Sequence, residues 1–272
     1  MATKTEDKPQ TLPVAPATGN ALAVSPEMAA LLGQSDGKAL EQEAADRVIP
    51  MAYVLQGLSP QVQKRNPDYV EGAEPGMIWL RNSGHPVISG DEGLLVQACY
   101  MSYGWVEWIP RDAGGGYIAT HADRPADAIE TPDPKDPRRI TVTRPNGNEL
   151  VETRQRVCNV FLPDGAIMPY VFSFKSSGHT VSKTWSTMMT NQRIGGNVPD
   201  PWTFLYRLKT KMRSNAKGDW FVLDVSGPER IVTPEEFKMG RALYEAFVTG
   251  EKVVEAPLSD QEHETTGDDA AM

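Results

Sequence analysis

Between residues 206 and 217 the stretch YRLKTKMRSNAK places five cations, Arg207, Lys209, Lys211, Arg213 and Lys217, and no acid occurs from 201 through 218. In a β-strand alternate side chains share a face, so Arg207, Lys209, Lys211 and Arg213 form a ladder of positive charges about 6.6 Å apart, while Tyr206, Leu208, Thr210 and Met212 face the other way. That chemistry is neither nucleophilic nor acid–base; it neutralises phosphates. A plain solvated face, or an edge strand whose lysines block aggregation, is the bland alternative. An ordinary solvated face mixes its signs, and this one does not. Lys175 and Lys217 are further candidates for phosphate contacts.

Aromatic side chains accompany the cations. Trp202, Phe204 and Tyr206 alternate into the ladder and Trp220 follows its hairpin. In SYGWVEWIP, Tyr103 and Trp105 share one strand face, with Trp108 on the other. Most such rings belong in a core, but rings exposed beside cations make the stacking and phosphate surface that single-stranded nucleic acid requires. Tyr103, Trp105, Trp202 and Trp220 are the expected stacking platforms.

Signals for catalysis are weak. The histidines His85, His121, His179 and His263 have no partner at fixed spacing. Gly114 to Gly116 lack the strand-to-helix setting of a phosphate loop. Ser176 and Ser177 near His179 read as helix caps, and the Glu-x-Lys in EEFK falls in the first turn of a capped helix. The expectation is a non-enzyme without metal or cofactor. Cys99 and Cys158, far apart and outside any CxxC, read as reduced core residues.

The 272 residues carry a formal net charge of −9, but unevenly. Residues 1–45 hold −3 and 253–272 hold −6, leaving the body 46–252 neutral, with +8 concentrated in 153–217. Both ends lack periodic apolar residues and are expected to be disordered, the second as an acidic tail. No apolar run approaches the ~20 residues of a membrane span and no secretory layout opens the chain, so a cytoplasmic protein is expected.

The elements that must position these residues are mostly strands. LLVQACYMSYGWVEWIPR (94–111), RITVT, ELVETRQRVCNVFL, MPYVFSF, WTFLYRLKTKMR and WFVLDV are β-rich, and Asn146-Gly147 is a strong hairpin signal. RVIPMAYVLQGLSPQV (47–62) fits a strand or a helix. HADRPADAIETPDPKDPRR (121–139) reads as a Pro-rich insertion. Val181, Trp185, Met188 and Met189 form a helical stripe; Thr233, Pro234 and Glu236 open a second helix that closes near Gly250. The predicted body is mainly β or α+β, an antiparallel barrel with additional helices.

The ordered set IPMAYVLQGLSPQV, EPGMIW, YGWVEWIPRDAGGGYIATH, PYVFSFKSSGHTVSKTWSTMM and YRLKTKMRSNAKGDWFVLDV resembles a group of tailed-bacteriophage proteins, some regarded as single-stranded DNA-binding replication proteins. The resemblance covers about 47–121 and 168–247. It implies an oligonucleotide/oligosaccharide-binding (OB) barrel that coats single-stranded DNA during phage replication or recombination in the host cytoplasm. It also implies an acidic tail, 253–272, that meets replication proteins, although DDAAM lacks the terminal aromatic of many such tails. The rival expectations are a phage structural or assembly protein, with 202–213 as an interface strand, and a DNA-processing nuclease.

Overall fold

The computed structural model describes residues 48–134, 140–215, 218–250 and 253–254, all within the unit Leu40–Met272. Expectations for 1–45, for 255–272 and for Lys217 lie outside the described residues.

The β-branched and aromatic segments form strands as predicted. Residues 47–62, ambiguous from sequence, give β1 (Val48–Ile49) and β2 (Met51–Val54), then a 3-10 turn at Pro60–Val62. β3 (Ile78–Leu80) and β4 (Val87–Ile88) are short; β5 (Leu94–Ile109) runs unbroken through 16 residues. β6 (Gly116–His121), β7 (Ile129–Pro132) and β8 (Ile140–Thr143) follow. The Pro-rich insertion thus contributes a strand, β7, which pairs with β8. β9 (Glu149–Phe161) leaves the Asn146-Gly147 turn, where Arg144 N donates to Asn148 O at 2.8 Å. β10 (Ile167–Lys175), helix α1 (Gly178–Asn191), β11 (Phe204–Asn215), β12 (Gly218–Ile231), helix α2 (Pro234–Val248) and β13 (Val253–Val254) complete the chain. β13 pairs in parallel with β1, so the first two residues assigned to the acidic tail belong to the body.

The main sheet runs β12-β11-β5-β9-β10-β2-β3-β4, with β6 beside β5 and β7-β8 beside β9. Every neighbour pair in it is antiparallel except β10-β2. Among the described residues the body is mainly β, a sheet curled into a half-barrel with two added helices. Residues from both ends of the strand order, Ile78 and Ile88 on one side and Leu223 and Val225 on the other, meet in one buried cluster with Val96, Phe172 and Tyr206. That cluster is the inside of the curl, and α1 fills it with Val181, Trp185 and Met189. A second cluster lies outside: Met51, Tyr53, Val157 and Val171 under Leu243 of α2. Cys99 belongs to the outer cluster and Cys158 to the inner one, both as free thiols.

The two helices differ in how they are made. α2 has the predicted capping box: Thr233 Oγ1 accepts from Glu236 N, Glu236 accepts from Thr233 N, and Pro234 stands at the first position. The Ser177 side chain caps nothing in α1, contrary to expectation, because Ser177 is already helical (φ −57°, ψ −26°). Ser176 turns the chain instead, with φ 48°.

The curl is held shut by contacts across its mouth. Beyond β2, the Gln56 side chain donates to Phe221 O and accepts from Phe221 N, both at 2.9 Å, as a neighbouring strand would. Thr210 N donates to Gly90 O at 3.0 Å, and Thr210 Oγ1 to Gly76 O at 2.6 Å. A Cβ on Gly90 would lie 2.0 Å from Thr210 Oγ1, and one on Gly76 would lie 2.6 Å from the Phe221 ring. The loops before β3 and β5 therefore seat on the β11-β12 hairpin only as glycine. Gln56→Ala should lower stability by about 1–3 kcal/mol, since it strips two backbone partners at once. The check is a denaturant midpoint together with faster amide exchange around Phe221; an unchanged midpoint rules out this role for Gln56.

Candidate nucleic-acid interface

β11 begins inside the core and ends outside it. Phe204, Leu205, Tyr206 and Leu208 are buried, whereas Lys209, Lys211, Met212 and Arg213 are exposed. The inward positions pair with inward positions of β5 (Tyr206 with Val96), so Arg207, opposite Leu95, falls on the outer face, and the ladder continues along that face. Beyond Leu208, which pairs with Leu94, the hairpin runs past the start of β5.

The four rungs are not equal. Arg207 is bound by Glu229, Nε to Oε1 at 2.6 Å and Nη2 to Oε2 at 2.8 Å. The Glu229 hydrogen bonds raise the arginine's pKa, and the guanidinium in turn holds the Glu229 carboxyl below its ordinary range. Lys209 stands opposite Asp224, Lys211 opposite Val222 and Arg213 opposite Trp220. Among the described residues, Lys209, Lys211 and Arg213 have no ion pair. The free part of the ladder is thus three residues at the projecting end.

Two expected stacking platforms are core residues and need correction. Trp202 is 7% exposed, in a 3-10 turn before β11 rather than in the strand alternation, and packs on Tyr244 at 5.0 Å and Phe237. Trp220, although opposite Arg213, is 5% exposed.

Tyr103 and Trp105 are accessible but lie elsewhere. From the Leu94–Leu208 pair, Tyr103 lies nine residues along β5 while Lys211 lies three residues the opposite way, roughly 40 Å of strand path. They are also on the other face. Between Ala98 and Tyr100, β5 carries a bulge against β9, after which Tyr100 pairs with Val157 and Tyr103 with Arg154. The extra residue reverses the alternation and turns Tyr103 and Trp105 to the inner side.

There the rings meet cations. The Arg154 guanidinium lies 5.3 Å from the Tyr103 ring centroid and the Arg124 guanidinium 5.6 Å from that of Trp105. Tyr103 is 55% exposed. Lys175 ends β10 on the outer side, its Nζ 5.7 Å from the centroid of buried Trp108. The structure thus separates the ten expected residues into the ladder, the Tyr103-Trp105 pair, Lys175 near that pair but on the opposite face, and two core tryptophans. Lys217 is not described.

The Tyr103-Trp105 region is an arm built from the far halves of β5 and β9 with β6, β7 and β8. β8 shares one register pair with β9, Thr143–Glu149, so side chains must tie the arm together. Glu107, 5% exposed, does so: it accepts from Asn148 Nδ2 at 2.6 Å, contacts His121 Nε2 at 2.8 Å and lies 3.5 Å from Arg144, which reaches Asp127 at 3.1 Å. The Asn148 bond first, then His121 and Arg144, hold the Glu107 carboxyl below the ordinary glutamate range, against desolvation that pushes it up. A group with a depressed folded-state pKa contributes stability above its unfolded value and loses it as pH falls through the folded value. Arm amides should therefore lose exchange protection as pH drops below the ordinary glutamate range. Glu107→Ala should remove about 1–3 kcal/mol and abolish that acid sensitivity; an arm equally protected in the variant would exclude Glu107 as its tie.

No helix among the described residues is long and apolar enough to cross a membrane, and no group of three or more His, Cys, Asp or Glu among them could hold a metal ion. No curated protein and no solved structure matches the chain. Residues 19–253 match the family model described as Pam3 phage gp34-like protein. That match spans the sheet, both helices, the basic hairpin and the arm, and on it the chain belongs to the Pam3 phage gp34-like family and is a phage protein.

Proposed function

We propose that this phage protein binds single-stranded DNA without regard to sequence, in phage DNA replication or recombination, in the host cytoplasm and without catalysis. The observation that carries the proposal is the projecting hairpin end, where Lys209, Lys211 and Arg213 share the outer face, exposed and without ion pairs among the described residues. Three cations at alternate positions of one strand face, without ion pairs among the described residues, suit a row of phosphates. The Tyr103–Arg154 and Trp105–Arg124 contacts add ring faces beside guanidinium groups, the combination that holds unpaired bases. The acidic segment 255–272 suits docking to basic surfaces of replication proteins.

A second reading, an assembly protein of the virion, is favoured by the arm. Ile118, Ile129 and Ile140 are each about half exposed (46%, 48% and 51%), and β7 is exposed along its whole length.

A tryptophan fluorescence titration with poly-dT and with duplex DNA separates the two. Quenching by the single strand alone, weakening with salt at a log–log slope of about −0.7 per phosphate contact, is the expected result. Lys209→Glu with Lys211→Glu should reduce affinity at least about tenfold and flatten that slope, and Trp105→Ala should cost about 1–3 kcal/mol of binding. Absence of binding at low salt, with or without residues 255–272, leaves the assembly reading standing.

A further inference from the structure

Arg156 is 3% exposed, between the inner sheet face and α1, and has no carboxylate partner among the described residues. Its Nη2 donates to Ser182 O at 2.8 Å and Ser186 Oγ at 2.6 Å, and its guanidinium lies 4.7 Å from the Trp185 ring centroid. Arg156 Nε, Trp185 Nε1 and the Tyr206 hydroxyl are all buried without a hydrogen-bond partner. Trp185 packs edge-on to Tyr206 at 5.7 Å and to Phe174 at 6.2 Å. A cation and two polar groups are thus enclosed with no anion among the described residues, an arrangement that costs free energy while the helix is seated. Burial lowers the Arg156 pKa to about 10 and raises that of Tyr206 to about 12.

The helix closing this space is poorly anchored in itself. α1, GHTVSKTWSTMMTN, is rich in Ser and Thr, has no side-chain cap, no acid in its first turn and no base in its last. It follows Ser176 at φ 48° and precedes Gly195 and Gly196, both at positive φ. Its seat is therefore tertiary, and part of that seat is Arg156, which bonds α1 through Nη2 but meets no carboxylate among the described residues.

The geometry points to the inner face beneath α1 as a concealed binding trough for a phosphodiester strand. When α1 lifts, Arg156 takes a phosphate as its missing counter-ion, while Tyr206 and Phe174 offer their ring faces to bases. This rests on the single-strand reading above and deepens it: the hairpin makes first contact outside, and the trough is the second site, available only on opening.

The test uses the full chain. In single-thiol variants Cys99→Ala and Cys158→Ala, the remaining cysteine reports on one side of the sheet, since Cys158 lies under α1 in the inner cluster and Cys99 in the outer one. In the free protein Cys158 should react with a thiol reagent about tenfold faster than Cys99, through opening of α1 alone. With saturating poly-dT, amides of 178–191 should exchange about tenfold faster and those of 234–248 should not change. Arg156→Met should leave the melting temperature equal or higher and weaken poly-dT binding about tenfold. If poly-dT binds through Lys209 and Lys211 while α1 keeps its protection and the thiols react alike, the trough is overturned and the hairpin reading survives. If poly-dT does not bind at all, both fall. Should Arg156→Met fail to fold, wild-type exchange decides alone.

Discussion

A curled sheet with free ends must be shut by something other than a strand ladder, and here that closure is made at the base of one hairpin. Gln56 lends its amide to the backbone of Phe221, and Gly76 and Gly90 let their loops come within contact distance of Phe221 and Thr210. The inner cluster is assembled across that closure, since both ends of the strand order contribute to it. The same grip determines where β11 ceases to be core: residues up to Leu208 are enclosed, and the cations after it stand clear. Stability and the candidate interface are two halves of one strand, divided by the loops that clasp it.

Much of this was legible in the residues. The alternation of Arg207, Lys209, Lys211 and Arg213 specified a single face because strand periodicity is local, and Thr233, Pro234 and Glu236 announced α2 because capping is local too. What escaped were features set by distant segments. Trp202 reads as a strand residue until a 3-10 turn places it against α2. Arg207 reads as a phosphate ligand until Glu229, 22 residues later in the chain, takes its Nε–Nη2 edge. Gln56 carries no local signal at all, because a glutamine side chain imitating a strand is visible only once its partner is in place.

The two helices show how one sheet can be covered in two ways. α2 is a self-sufficient helix laid on the outer face, where Gln97 Nε2 reaches from β5 to Trp202 O and Glu236 O, both at 2.8 Å, and Gly240 admits the close approach. α1 depends wholly on what it packs against. Covering both faces lets a strand such as β9 bury Val157 on one side and Cys158 on the other.

The bulge between Ala98 and Tyr100 has a consequence for what the chain tolerates. One unpaired residue decides which way the whole arm is turned, since every side chain of β5 after it inherits the reversal. Loops around this sheet can gain or lose residues at modest entropic cost. β5 has no such freedom at constant length: straightening the bulge would slip every later residue by one place, setting Tyr103 opposite Thr153 instead of Arg154, turning Tyr103 and Trp105 to the ladder's side and Trp108 inward. The bulge is therefore what lets odd-numbered residues of β5 face outward before it and inward after it.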